Sequence, residues 1–528
     1  MKKIFSYWCV LLLIVVGVCS CGSSPEYGKM IPKDAFFVMS LNIQDAVERC
    51  ELGEATVLKE QIDKSLSHAK LPQATREQLQ EIMEDPRKTG IDFAEPVIFF
   101  SAESFPKRFG LVGAVADQDD LEDFFQVLYK EGVCTPVLET DGLRYTQVKD
   151  LVFAFNQEWF FATDLRGKQT ADVLEEIRSL EKLPVEQTLQ SSEVFEDLLT
   201  RPGFMHTLYL GSGIDLLADE MHLSEAKRQQ LFPKELNLEE FGFVFDFDLQ
   251  KGEARLVSEM LPLSGKAEQW LDEKTAPFSE PVEGTLVNYL SEDALCWGYT
   301  RLDGKMILQQ LKQYPGWVEF EQSEPASARW VEELVGGFNG DCAFQLGTEF
   351  TQAGIPEFSL YAETQNETWL KLLETVEDNQ VKKIDDRTYI WNMPDPQYLA
   401  YDQVMTGSPQ VPTVATAVMG AKRGISYLLF GKTPGMLEPV LHPVVLNSAY
   451  SSYVHLNAER LLDLEFVKQK LGPIAFLPYK KVVGLFDYAD CYVEKGRKVT
   501  LRMVMKNKEQ SPVKTLYDEV EKILQFLG

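Results

Sequence analysis

Apolar positions along the chain fall into two rhythms, one of period two and one near 3.6. Short apolar runs at 96–101, 151–155, 159–163 and 241–249 read as strands. Phe241-Gly-Phe-Val-Phe-Asp-Phe-Asp alternates near its end, as a strand with one buried face does. Leu121, Phe124, Phe125 and Leu128 fall at i, i+3, i+4 and i+7, the stripe of an amphipathic helix. A second such helix ends the chain: Ser511 is placed to cap it, Pro512 fits its first turn, and Val513, Leu516, Tyr517, Val520, Ile523, Leu524 and Leu527 share one face. Runs of strands joined by hairpin-like turns, with helices between, predict an α+β fold with mainly antiparallel sheets flanked by helices.

This pattern occurs twice. Residues 31–44 match 290–303, with Asp34 and Ala35 set against Asp293 and Ala294. The strand and helix at 111–128 match 359–376, where Trp369, Leu372, Leu373 and Val376 repeat the apolar stripe. Residues 141–145 match 385–389, 208–217 match 453–462, and 246–261 match 490–505. The last match is a hairpin turning at Lys251-Gly252 and at Lys495-Gly496. The offsets, 259, 248, 244, 245 and 244, keep their order and drift little, as duplication followed by loop changes would leave them. The expectation is two tandem, internally duplicated units at 31–272 and 284–528, joined by a Pro-containing linker or stiff turn at 273–283. A chain of 528 residues should divide in any case, because single cores stop growing beyond about 250–300 residues.

The start of the chain follows neither rhythm. Lys2 and Lys3 precede an apolar run over 4–18, the layout of a secretory signal in residues 1–20. That run is shorter than the roughly 20 residues a membrane span needs. Val18-Cys19-Ser20-Cys21-Gly22 resembles a bacterial lipobox, in which Cys21 is acylated and becomes the mature N-terminus, leaving 21–30 as a tether. The resemblance implies a protein held on a membrane by lipid, and Gly22 in place of Asp favours the outer membrane. The tether does not distinguish a periplasmic-facing from a surface-exposed leaflet.

Charge narrows the partners. The chain carries 52 basic and 81 acidic residues, a net charge of −29; loss of Lys2 and Lys3 with the signal leaves 50 against 81, or −31. Nucleic acid and unaided adsorption to anionic lipid are both disfavoured. Beyond Cys21 the mature chain holds Cys50, Cys134, Cys296, Cys342 and Cys491, an odd and scattered set without zinc or redox spacing, which reads as small apolar residues.

Candidate chemistry is sparse. The five histidines lack metal-ligand spacing, and there is no Gly-x-Ser-x-Gly elbow, phosphate loop or dinucleotide fingerprint. Ser212 and Asn457 read as helix caps, and the acids Asp117, Asp119, Asp120, Glu122 and Asp123 as complements of a helix dipole. Asp246 and Asp248 read as the outward face of a strand. The expectation is therefore no catalytic residue, no metal and no cofactor. A candidate partner-binding loop lies at 393–412, where Met393, Tyr398, Tyr401 and Met405 sit among prolines expected to keep the backbone irregular. A lid packed over its own half is the competing reading of the same residues.

With the lipobox, the Ile-Pro-Lys-Asp-Ala opening, the Phe-Asp and Lys-Gly hairpin and the repeated organisation in view, the chain resembles large envelope lipoproteins of Bacteroidetes-type bacteria that form a family of unknown function. The likeness covers roughly residues 26–528 and implies a cell-envelope protein without an assigned activity. The leading expectation is a non-catalytic envelope lipoprotein that binds a protein or glycan ligand. The alternative is an envelope hydrolase of glycans or peptides, which a deep pocket of converging acids with shifted pKa values would mark.

Overall fold

Antiparallel ladders form the body of the protein, and the alternation of each strand decides which elements cover it. The computed structural model describes residues 26–51, 77, 81, 86–105, 109–214, 238–350, 356–373, 381–394, 413–430, 439–446, 449–494 and 497–527. The chain divides into two units: residues up to Ala267 with Asn507–Val520, and Glu268–Lys506 with the residues from Glu521 onward.

The first unit contains β1 (Ala35–Leu41), β2 (Ile91–Asp92), β3 (Val97–Ala102), β4 (Gly110–Val115), β5 (Leu138–Thr140), β6 (Leu143–Val148), β7 (Leu151–Phe155), β8 (Trp159–Asp164), β9 (Met205–Leu210), β10 (Phe241–Gln250) and β11 (Glu253–Pro262). They pair in the order β5-β6-β7-β8-β4-β3-β1-β9-β10-β11, every pairing antiparallel, and β2 adds to the free half of the β4 edge. Two cores form on opposite faces. On one, Val38, Ile98, Phe100, Val112, Phe161, Leu208 and Val244 meet Val173 and Ile177 of the helix Thr170–Glu181 and Phe195 and Leu198 of the helix Glu193–Thr200. On the other, Val97, Val115, Phe155 and Phe160 meet Leu121, Phe124, Phe125 and Leu128 of the helix Gln118–Lys130. Helices cover both faces of β8, and its sequence is accordingly a continuous apolar run. At the hairpin between β10 and β11, Gly252 takes the positive φ of 71° that the turn requires.

Residues expected to be tether belong to this core. Glu26–Met30 form a 3₁₀ turn, Tyr27 donates its hydroxyl to the Pro96 carbonyl, and Met30 and Ile31 are fully buried. Residues 26–30, expected as part of a tether, are thus packed into the first unit. Cys21 itself lies outside the described residues. The far terminus also joins the first unit. The Ser511 amide donates to Glu51 and its hydroxyl to the Cys50 carbonyl, while the same oxygen caps the final helix, Pro512–Leu527, by accepting from the Lys514 amide at 3.1 Å. The expected halves thus exchange a segment, and the first boundary falls at Ala267, within the helix Gly265–Thr275, rather than after residue 272.

The second unit contains β12 (Cys296–Asp303), β13 (Phe338–Phe350), β14 (Pro356–Thr364), β15 (Val381–Asp385), β16 (Thr388–Pro394), β17 (Thr413–Lys422), β18 (Ile425–Phe430), β19 (Tyr450–Asn457), β20 (Phe486–Glu494) and β21 (Lys498–Met505). Their order is β15-β16-β17-β18-β14-β13-β12-β19-β20-β21, again antiparallel throughout. Trp297, Tyr299, Tyr361, Val418, Tyr427 and Leu429 bury one face beneath Val282, Leu286 and Leu290. Trp369, Leu370 and Leu373 of the helix Thr368–Leu373 cover Tyr389, Met419 and Ala421 on the other. Met393 and Pro394 extend β16, opposite Ala415 and Thr413, so the expected irregular backbone does not begin at Met393. The ladder bonds there hold those two residues extended. Tyr398, Tyr401 and Met405 lie outside the described residues. No helix among the described residues is long and apolar enough to cross a membrane.

The expected linker is pinned. Asp341, fully buried in β13, accepts from the amides of Glu283, Gly284 and Thr285 at 3.1, 2.7 and 3.0 Å, and from the Tyr299 hydroxyl at 2.9 Å. That hydroxyl in turn accepts from the Leu286 amide at 2.7 Å. One carboxylate therefore satisfies donors that the turn would otherwise bury unpaired. Replacing it removes them all at once, and Asp341→Ala should destabilise the second unit by about 3 kcal/mol, read as a lowered denaturant midpoint with unchanged slope. A change below about 0.5 kcal/mol would show that the turn is held by packing alone.

Candidate functional site

Across the sheet of the first unit, one row of cross-strand partners runs Tyr145, Ala154, Phe161, Val112, Ile98, Ser40, His206, Asp246. Its last members are polar and buried. His206 Nδ1 lies 2.9 Å from Asp246 Oδ1, and Arg201, just before β9, places Nη1 3.0 Å from Asp246 Oδ2. Arg201 Nη2 also reaches Asp197 and Glu259, each at 2.8 Å. Burial works against the charge of Arg201, but the hydrogen bonds to Glu259, Asp197 and Asp246 outweigh it and raise its pKa above the ordinary arginine value. Asp248, two residues along, pairs with Arg49. Asp246 and Asp248 thus face inward, correcting the expectation of an outward strand face: at 6% and 8% exposure, Arg201 and His206 for the first and the half-buried Arg49 for the second take the place of water.

The second unit carries a similar cluster. Its corresponding row runs Ile390, Val418, Leu429, Ser359, Gln345, Trp297, His455, Asp490, Arg502. His455 Nδ1 is 2.8 Å from Asp490 Oδ1, and Arg502, directly across in β21, donates to Asp490 Oδ2. Burial pushes the Asp490 pKa up, but the bonds from His455, Arg502 and Tyr453 together hold it below the usual carboxylate value. The His455 ring stacks on Trp297 at 5.4 Å and packs against Tyr488 at 5.0 Å, and the Arg502 guanidinium lies over Tyr488 and Tyr492.

These arrangements are suited to holding charge more than to turning over substrate. Ser40, His206 and Asp246 follow one another across three strands, the nearest approach to a serine triad. All three are buried, at 2%, 6% and 6% exposure, and among the described residues no hydrogen bond joins Ser40 to His206. A cleft of about 130 Å³ in the second unit is lined by Glu280, Arg301, Asp303 and Asn339. That is below the roughly 300 Å³ at which small-molecule pockets begin, and Arg301 is already bound to Glu280 and Glu283. Among the described residues no group of His, Cys, Asp and Glu is arranged to hold a metal.

Other sequence readings resolve individually. Asp117 caps its helix by accepting from the Asp119 and Asp120 amides, and Asn457 caps the next helix through the Glu459 and Arg460 amides. Ser212 does not cap: it lies inside a helical turn and donates to Glu103 at 3.2 Å. His442 is exposed, 4.0 Å from Glu292, and His68 and His222 lie outside the described residues. Cys50, Cys134, Cys296, Cys342 and Cys491 are free thiols; Cys134 is buried and the other four are half-buried. Sequence reading missed both His–Asp pairs. A signal was present: in each half the strand leading into the Lys-Gly turn carries an aspartate after aromatic residues, and the strand before that one carries a histidine.

The fold defines an α+β protein with antiparallel ladders and a His–Asp–Arg cluster in each unit. It belongs to the family described as a domain of unknown function, DUF4836, which matches residues 27–392. Among solved structures, crystal form I of TP0453 is 11% identical with a TM-score of 0.25, covering 48% of this chain and 86% of that one. Crystal form III gives the same identity and TM-score, covering 48% and 88%, and similarity at this level carries no argument about function. No curated protein matches the chain.

Asp490 sets an acid limit. Because its folded pKa is depressed, the cluster contributes stability that is fully present above the unfolded aspartate value of about 3.9 and is lost as pH falls through the lower folded value. Denaturant titrations between pH 6 and pH 2.5 should show the wild-type second unit losing stability faster than Asp490→Asn below about pH 4. Parallel curves would remove Asp490 from the account.

Proposed function

We propose that the protein is a non-catalytic, lipid-anchored envelope protein, built from two copies of one α+β unit, that binds a protein or glycan ligand. The supporting observation is that, among the described residues, the carboxylates of the two His–Asp–Arg clusters, Asp246 and Asp490, are buried and taken up by their own neighbours. The repeat is supported by strand order. Reading β1 as β12, β9 as β19, β10 as β20 and so on, all ten strands of the long ladder correspond, and the five sequence matches fall on corresponding elements. Registers adjust the residue pairing: by position in the row, Val112 stands with Ser359, Tyr145 with Ile390, and His206 with His455, so those strand matches shift by one, one and four residues.

Binding through 393–412 fits the ladder that flanks it. Pro394 and Thr413 are cross-strand partners, so the chain leaves and re-enters the ladder at adjacent points. Deleting 395–410 leaves two residues between them, enough for a tight hairpin. The variant should unfold within about 1 kcal/mol of wild type and lose capture of its envelope ligand in crosslinking from intact cells. Unfolding of the second unit would make the segment a lid on its own core. Turnover by the purified protein in a glycan and peptide screen would replace this reading with that of a hydrolase.

A further inference from the structure

We propose that one end of the second unit's sheet is a lipid-docking surface, which sets apolar tips and lysines into the headgroup region of an anionic bilayer. It uses residues of the second unit alone and stands without the lipid anchor. At that end β12 and β20 begin and β19 and β21 finish, since Cys296 lies opposite Leu456, Asn457 opposite Tyr488 and Phe486 opposite Met505. Two elements lie there. One is the connection from β19 to β20, which holds the short helix Ala458–Leu461 and the helix Glu465–Val483. The other is a ribbon at 439–446, tied alongside 288–292: the amides of Val440, Glu292 and Val444 donate to the carbonyls of Asn288, His442 and Leu290 at 2.8, 3.1 and 3.1 Å. Arg460 of the short helix pairs with Asp293, the residue after Glu292, which brings both elements to the same end.

Both elements turn apolar side chains outward. The ribbon buries Val444 in the core, while Leu441 and Val445 stand 94% and 93% exposed, the most exposed large apolar side chains among the described residues. In the helix Glu465–Val483 none of the described side chains is buried, and Leu471 and Leu477 are 39% and 50% exposed. Gly472, with φ of 67°, breaks that helix into two halves, each far short of the roughly 20 residues of a span, so it suits lying on a bilayer and not crossing it. Charge then selects the lipid. The helix sets Lys468, Lys470, Lys480 and Lys481 against Glu465, a net +3 in a chain of net charge −29. Nearby acids are occupied: Glu465 pairs with Lys468, Asp463 and Asp293 with Arg460, and Glu459 with Lys506, while Glu292 stands 4.0 Å from His442. Lys470 and Lys480 have no ion pair among the described residues. Lys480 follows Leu477 by three residues, so cation and apolar side chain share a face, as they do where lysine reaches a headgroup phosphate and leucine the acyl boundary. A fluid bilayer accepts separate projecting tips without the shape match that a protein surface would need.

The test is co-sedimentation of the chain from Gly22 onward, which carries no acyl group, with vesicles of phosphatidylglycerol and, separately, of phosphatidylcholine. Binding should be about tenfold tighter to phosphatidylglycerol and should weaken as salt is added. The double variants Lys470→Glu/Lys480→Glu and Leu441→Ser/Val445→Ser should each bind about tenfold more weakly, with melting temperatures unchanged because all four side chains are exposed. No binding by the folded wild-type chain, equal binding to both lipids, or binding that survives either double variant would overturn the proposal. Self-association without vesicles that Leu441→Ser/Val445→Ser abolishes, read by analytical ultracentrifugation, would overturn it in favour of a second copy. None of these outcomes depends on Cys21, so the anchor is judged separately.

Discussion

Two buried carboxylates, Asp246 and Asp490, constrain this structure more than any other groups. Each sits in a long strand one ladder rung from a histidine and within reach of an arginine. A register slip of one residue would turn either carboxylate to the opposite face and strand its cation in the core. Breaking such a pair costs about 3–5 kcal/mol, a large part of the 5–15 kcal/mol that holds a domain folded. Apolar alternation fixes which face is buried; the charged pairs distinguish the native register from one shifted by two, which alternation alone would tolerate. The two clusters reach this with different parts. Arg201 comes from the chain before β9 and Arg502 from the strand beside Asp490, while the His–Asp rung holds the same place in each row.

Much of the fold was legible because its signals are local. The run at 151–155 is β7, 241–249 lies within β10, and the stripe of Leu121, Phe124, Phe125 and Leu128 is buried as its spacing requires. Asn457, Asp117 and Ser511 cap the helices they precede. What escaped is long-range. His206 and Asp246 are brought together only by the pairing of β9 with β10, and Asp341 reaches a turn more than fifty residues earlier. The inward placement of Asp246 and Asp248 could not be read from alternation, which assigns an acidic residue to water unless its cation is known. The N-terminal boundary failed for a related reason: Tyr27 and Met30 look like the end of a tether until the helices that cover them are in place.

Function is constrained by what the polar groups are already doing. Among the described residues, Asp246 and Asp490 are each taken up by a histidine and an arginine, and the cleft beside Arg301 is smaller than typical small-molecule pockets.

Hydrogen exchange followed by mass spectrometry on full-length Asp246→Asn and Asp490→Asn, each against wild type, tests the equivalence of the two clusters most directly. Asparagine keeps the shape and removes the charge. The account predicts faster exchange in β9 and β10 for the first variant and in β19, β20 and β21 for the second, by comparable factors. Unchanged protection in either set of strands would show that its register is held by packing alone and that the shared His–Asp rung is not a common structural device.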